Sequence, residues 1–150
     1  MHEHQLSVVH DPDEALIQPV LEGLHRFGIE AIGGFEPKKL AVLLPLGGRT
    51  IGGVVGQEVK GIFYINHLWV TAEERSRGYG GRLLGAIEAE AFAKGCAEVR
   101  LDTMNAKSIP FYEAHGYGIY GRVPEYIPGF EKVFLRKLRR KSNIAIESDG

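Results

Sequence analysis

Residues 68–85 read LWVTAEERSRGYGGRLLG, and their order decides the fold. An apolar run ends at Val70, three arginines and three glycines follow within residues 75–82, and a helical period begins at once. Glycines between a strand and a helix let the backbone come close to a partner. Arginines beside them imply that the partner is anionic. A strand, a tight turn and a helix in this order require a crossover to a parallel strand.

Working outward, 80–94 is helical, with Leu83, Leu84, Ile87 and Ala91 on one face and Glu88, Glu90 and Lys94 mostly off it. Gly95 supplies the stop. Residues 99–103 form a strand, 108–115 a short helix stopped by Gly116, and 117–123 and 130–138 two closing strands around the turn 124–129. Upstream, 40–44, 50–59 and 62–70 read as three strands of an antiparallel meander, punctuated by Gly47-Gly48 and Lys60-Gly61. Gly52, Gly53 and Gly56 mark the middle strand for a bulge or a close approach. Residues 6–9 are an expected edge strand. A helix should then start with Asp11 as cap, Pro12 at its first position and Glu14 completing a capping box, kink or break at Pro19, and stop at Gly28. The sum is an α+β domain: a mostly antiparallel, strongly twisted sheet of about six to seven strands with helices on both faces.

The 150 residues carry 44% hydrophobic and 25% charged residues and a net charge of −1. One domain is expected, with its core over 6–138 and a loose polar tail over 139–150. No global basic field favours nucleic acid or an anionic membrane. No stretch nears the roughly 18 apolar residues of a membrane span, and the first residues lack the apolar region of a signal peptide. The single cysteine, Cys96, cannot form an intramolecular disulfide, which favours a reducing cytoplasm, and it reads as a small core residue. His2 and His4 read as a frayed terminus rather than metal ligands, and no metal site is expected.

Three nucleotide-type anion loops compete for residues 75–82. A GxxxxGK[ST] loop fails because Arg82-Leu83 follows Gly81. A GxGxxG fingerprint has its first half in Gly78-Tyr79-Gly80 but Leu83 at the third position, although Asp102 lies at a suitable distance downstream. A pyrophosphate turn of the pattern [Arg/Gln]-x-x-Gly-x-[Gly/Ala] is matched by Arg75, Gly78 and Gly80. There successive backbone N–H groups and a helix N-terminus face a diphosphate.

With that loop, and with Asn105-Ala106-Lys107-Ser108 leading to Phe111-Tyr112-Glu113-Ala114-His115-Gly116-Tyr117, the chain resembles the GCN5-related N-acetyltransferase (GNAT) superfamily. The resemblance is dense over 62–117 and extends by element order over 6–138. It implies an acetyl-CoA-dependent N-acetyltransferase with Arg75, Ser76, Arg77, Gly78, Tyr79, Gly80 and Gly81 on the pyrophosphate. It further implies that the pantetheine arm pairs with Leu68, Trp69 and Val70, where a backbone N–H would polarise the thioester carbonyl. That pairing requires the strand to splay from the strand 99–103.

The resemblance places Asn105 on the pantetheine amides, with a helix cap as its other reading, and adds Ser108 and Phe111 to the cofactor set. Tyr112 matches the frequent general acid that protonates the departing thiolate. No carboxylate marks a general base near Tyr64, Asn66 and His67. His67 is the candidate base because imidazoles titrate near neutrality, but strict alternation puts Asn66, Leu68 and Val70 on one face and His67 and Trp69 on the other. A water-mediated base, or capture of an already neutral amine, stays open. His115 reads as a helix-end residue.

The acceptor is expected to be a primary amine, by preference of a small molecule. Glu30, Glu36, Glu125 and Glu131 are its candidate acidic contacts, and Tyr126 and Phe130 a candidate wall. A non-catalytic acyl-CoA-binding or sensing module, a protein N-terminal or lysine acetyltransferase, and a longer-chain acyl transferase are the alternatives. A homodimer is compatible with the family resemblance.

Overall fold

A computed structural model describes residues 4–140. The expectations on His2 and on the tail 141–150 lie outside the described residues. The chain divides into two compact units, Met1–Glu36 and Pro37–Gly150.

The first unit holds helix α1, Glu14–Ala31. Residues 6–9 form no strand, which corrects the expected edge strand. Asp13, not Asp11, is the N-cap, with extended backbone and no side-chain capping bond. Pro19 lies inside a continuous helix, because a proline so placed forfeits a single hydrogen bond, here to the carbonyl of Ala15. The helix also runs through Gly28. It ends where the amide of Gly34 donates to Ile29 (2.7 Å) and that of Gly33 to Glu30 (3.0 Å). This is a Schellman stop with Gly33 at φ 89°.

The second unit is one six-stranded sheet in the order β1-β2-β3-β4-β6-β5. Strands β1 (Lys38–Leu46), β2 (Arg49–Val59) and β3 (Ile62–Val70) form the meander. Helix α2 (Tyr79–Ala93) crosses to β4 (Glu98–Thr103), which runs parallel to β3. After helix α3 (Ile109–Ala114), strands β5 (Gly118–Ile127) and β6 (Phe130–Leu138) close the sheet, with β6 inserted between β4 and β5. Among the described residues the strand count is six, and only the β3–β4 pair is parallel.

Left-handed backbone sets the turns. Gly47-Gly48 (φ 58° and 80°) and Lys60-Gly61 (φ 49° and 83°) make the first two hairpins. The third is tighter than 124–129: β5 runs to Ile127, which pairs with Phe130 around Pro128-Gly129. The extra length is absorbed by an irregularity between Val123 and Ile127, where Glu125 has φ 50°.

The core of this unit lies between the sheet and α2. Val54, Phe63, Ile65, Val99, Leu101, Val133 and Leu135 face Leu83, Leu84, Ile87 and Ala91. Cys96 is fully buried in the same cluster, and burial pushes its thiol up. Glu88 belongs to this buried face, contrary to the periodicity reading. It accepts from the Tyr117 hydroxyl at 2.8 Å and pairs with Lys137 Nζ at 2.7 Å. A carboxylate so placed needs both partners. Arg139, expected in the loose tail, donates its amide to Ala97 at 2.9 Å. No helix among the described residues is long and apolar enough to cross a membrane.

Candidate active site

Strands β3 and β4 pair over only three positions, Ile62↔Glu98 to Tyr64↔Arg100. Beyond them β3 stays with β2 as far as Val70↔Gly52, and β4 stays with β6 as far as Thr103↔Val133. The sheet therefore opens between two strands that each remain anchored on their outer side. A cleft of about 300 Å³ fills the opening, lined by Ile65 to Trp69, Leu101 to Thr103, and Tyr112. The inner edge of β3 beyond Tyr64 lacks a ladder partner on the β4 side, so its amides and carbonyls can pair with an extended ligand.

A bulge aims the side chains at this opening. Val55 pairs with His67 and Gly56 with Ile65, so Asn66 is the extra residue. Phe63 and Ile65 face the core before the bulge, and Leu68 and Val70 pack on it afterwards. Strict alternation thus fails: Asn66 does not share a face with Leu68 and Val70. Asn66 and His67 are both exposed and both line the opening. Gly56 makes the bulge possible. A Cβ there would lie 2.5 Å from both the Phe63 ring and the Tyr64 carbonyl.

The loop after β3 is built as an amide cradle. Its start is tied down by Thr71 N–H to Ile51 (2.7 Å). A 3-10 turn, Ala72–Glu74, is followed by Ser76 at φ 65° and by Gly78 at φ 82°, the N-cap of α2. The amide of Arg82 makes the first bond back, to Gly78. The amides of Tyr79, Gly80 and Gly81 precede it, in the first turn, where no intrahelical acceptor exists. They border a pocket of about 290 Å³ with Val70, Arg75, Ser76, Gly78 and Phe111. Such a helix opening takes an anion.

The arginines do different work from the glycines. Arg75 Nε donates to the Val70 carbonyl at 2.9 Å and pins the loop to β3. Arg77 pairs with Glu74 at 3.3 Å.

Asn105 caps the 3-10 turn Ala106–Ser108 by accepting from Lys107 N–H at 3.2 Å. Its amide donates to Thr103 Oγ1 at 3.0 Å. Ser108 Oγ donates to the Asn105 carbonyl at 2.7 Å and lies 3.1 Å from Thr103 Oγ1. The capping reading of Asn105 is therefore realised, and Ser108 is engaged within the turn. Phe111 stacks beside His115 (4.5 Å between centroids) and lies 3.5 Å from where a Gly80 Cβ would be. His115 donates from Nδ1 to the Phe111 carbonyl at 2.8 Å, as suits a helix-end residue. Tyr112 is half-buried, set edge-on to Phe111 and Tyr117, and burial pushes its phenol up. The proton is thus retained.

On the other side of the opening stands Asp102, whose carboxylate accepts from the Tyr64 hydroxyl and lies 3.4 Å from Lys132 Nζ. Sequence reasoning weighed Asp102 only for a dinucleotide fingerprint. The alternation Glu98, Arg100, Asp102 against Val99 and Leu101 would have marked it as lying on the face away from the core. The acidic residues it named as candidate acceptor contacts have local partners, in keeping with solvated surface positions: Glu125 Oε2 accepts from Gly129 N–H at 2.8 Å, and Glu131 pairs with Arg122 at 2.5 Å. Within the first unit, Glu36 stands 3.7 Å from His25. Among the described residues no group of three or more His, Cys, Asp or Glu is placed to hold a metal ion.

A six-stranded mixed sheet that opens beside a helix-capping amide cradle defines a class, and comparison with known proteins names it. The profile of the Acetyltransferase (GNAT) family matches residues 10–117, and the chain belongs to that family. It is 33% identical over 91 residues to the blasticidin-S acetyltransferase of Streptomyces morookaense, a match spanning 60% of this chain and 67% of that relative. A crystal structure from Agrobacterium tumefaciens assigned as an acetyltransferase shares the fold. It has a TM-score of 0.81 at 23% identity and covers 91% of this chain and all of that one. A Bacillus anthracis structure assigned as a streptothricin acetyltransferase, solved with acetyl coenzyme A, gives a TM-score of 0.62 at 21% identity over 70% of this chain and 65% of that one.

Proposed function

We propose that this chain is an acetyl-CoA-dependent N-acetyltransferase that moves the acetyl group to a primary amine of a small molecule by direct attack in a ternary complex. The observation that carries this reading is the parting of β3 from β4, with an amide cradle at one end and a half-buried phenol in the gap. The diphosphate of the donor fits the Tyr79, Gly80 and Gly81 amides, around which the glycines leave open backbone. The pantetheine arm fits the backbone edge at Leu68 to Val70, where the Val70 carbonyl also holds Arg75 Nε, and Trp69 lines the cleft.

The amine nitrogen attacks the thioester carbonyl carbon, the C–N bond forms and the C–S bond breaks. A β3 backbone N–H stabilises the developing oxyanion. Tyr112 gives its proton to the departing thiolate. His67, turned into the opening by the bulge, takes the proton of the amine directly or through one water. A cytoplasmic setting belongs to this reading, since the single cysteine is a buried free thiol.

The test is release of free coenzyme A thiol from acetyl-CoA with blasticidin S, nourseothricin, spermidine, glycinamide and an alanine-initiated peptide as acceptors. Thiol release matched by an N-acetylated small product is expected. Release with the peptide alone would reassign the chain to protein substrates. Tight acetyl-CoA binding with no release from any acceptor would make it a binding module. Competition by longer acyl-CoAs measures acyl-chain preference.

A further inference from the structure

The opening does not end at the Tyr112 side. A second cavity, of about 380 Å³, shares Ile65, Asn66, His67 and Asp102 with the first and continues to Gln57, Tyr64 and Lys39. The passage thus runs between the parted strands, with the phenol of Tyr112 toward one end and Gln57 and Tyr64 toward the other. Its shared wall contains one carboxylate, Asp102.

That carboxylate is held rather than loose. The Tyr64 hydroxyl donates to Oδ2, and burial pushes this phenol up, with Asp102 itself adding to the effect, so the donor keeps its proton. Lys132 Nζ stands 3.4 Å from Oδ1 and 4.4 Å from the centre of the Tyr126 ring. At that distance, longer than the usual length of about 2.7–2.9 Å for a charge-assisted bond, Lys132 offsets the charge and engages Oδ1 only loosely. A carboxylate has about four acceptor sites, and Tyr64 uses one. Around it Gln57, Asn66 and His67 supply hydrogen-bonding groups, and Lys39 brings a positive charge. The hydrogen-bonding groups suit a compact polar amine with one ammonium directed at Asp102, with Lys39 and Lys132 opposing any second positive charge, and they disfavour a long apolar chain.

We infer that Asp102 binds the ammonium group of the acceptor and that Tyr64 orients this carboxylate. This rests on the acetyltransferase reading above. It assigns Asp102 a binding contact and Tyr64 a positioning role.

The experiment compares wild type with Asp102→Asn, Asp102→Glu and Tyr64→Phe. The acceptor is whichever member of the panel above gives the highest kcat/KM, and thermal unfolding of each variant is recorded. Loss of a charge-assisted contact should raise the amine KM of Asp102→Asn by about tenfold or more, with the acetyl-CoA KM unchanged. Asp102→Glu should recover part of the loss. Tyr64→Phe, which keeps the charge, should raise the amine KM by a smaller factor. An unchanged amine KM in a folded Asp102→Asn protein overturns the inference. So does an equal rise in both KM values. Should Asp102→Asn fail to fold, the amine KM of Tyr64→Phe decides alone. A wild-type protein that binds acetyl-CoA but releases no thiol with any acceptor overturns the acetyltransferase reading instead, and is told apart by that.

Discussion

The amide of Tyr117 donates to the carbonyl of Tyr112 at 3.0 Å, and the two rings meet edge to face with centroids 5.8 Å apart. This is the long bond of a Schellman stop, with Gly116 at φ 93° and its amide on Glu113 at 3.1 Å. The helix end that terminates α3 therefore also fixes the residue proposed to protonate the leaving thiolate. Tyr117 is itself anchored through its hydroxyl to Glu88 of α2.

Because packing holds the Tyr112 ring, Tyr112→Phe should remove the proton and leave the geometry. Turnover should fall by roughly a hundredfold or more, with the acetyl-CoA KM nearly unchanged, as steady-state kinetics would show. Burial raises the Tyr112 phenol, so an alkaline limb of kcat due to its ionisation should lie above the ordinary phenol range. It should vanish in the Phe variant. Unaltered kcat would remove Tyr112 from the chemistry.

Tyr117 gives a stability prediction with a defined sign. Its phenol is raised first by burial and then by Glu88, so the folded state holds the proton more tightly than the unfolded chain. The resulting stabilisation is complete below the ordinary phenol range. It is lost as pH climbs from there toward the raised folded-state value, because the unfolded chain ionises first. Urea denaturation at rising alkaline pH should show a steeper loss for wild type than for Tyr117→Phe. At neutral pH the variant should lose about 1–3 kcal/mol, the cost of leaving a buried partner short of one bond.

Gly81→Ala tests the seat of α3 on α2. Its Cβ would lie 2.7 Å from His115 Nε2, and that ring cannot swing away without giving up its bond to Phe111. We expect a loss of about 1–3 kcal/mol, relieved when His115→Ala is added. A double-mutant cycle by chemical denaturation reads the coupling, and strict additivity would show that the contact does not matter.

Gly78→Ala separates backbone conformation from packing. No atom lies within 4 Å of where its Cβ would be, yet its φ is 82°. The expected stability loss is about 1 kcal/mol, with weaker coenzyme A binding as the amide cradle relaxes. Calorimetric titration with coenzyme A, at low and high salt, checks both the loss and the electrostatic origin of the affinity. Unchanged affinity would place the diphosphate elsewhere.

Much of this fold is legible in the sequence. Local chemistry marks β3 and β6 to the residue, the first two hairpin turns through their glycines, the ends of α2 and α3 through Gly95 and Gly116, and the helix-opening turn through Gly78 to Gly81, whereas the third turn is shorter than the stretch 124–129 read for it. Each depends on φ or on periodicity, which neighbouring residues set. Less visible were the continuity of α1 through Pro19, since one lost bond does not end a helix, and the absence of a strand at 6–9, since a short apolar run becomes a strand only when a partner takes its hydrogen bonds.

By itself the sequence determined an α+β fold with one parallel crossover, a glycine-rich turn at a helix start, and a tyrosine in the last turn of α3. Only the tertiary structure decided that β3 and β4 part after Tyr64, that the bulge at Asn66 turns His67 into the gap, that Glu88 is buried, and that Asp102 is held by Tyr64 across the sheet. The reason is physical. A turn or a cap is closed by residues a few places apart, whereas register, splay and a paired carboxylate are fixed by partners tens of residues away, and no local pattern records which partner will arrive.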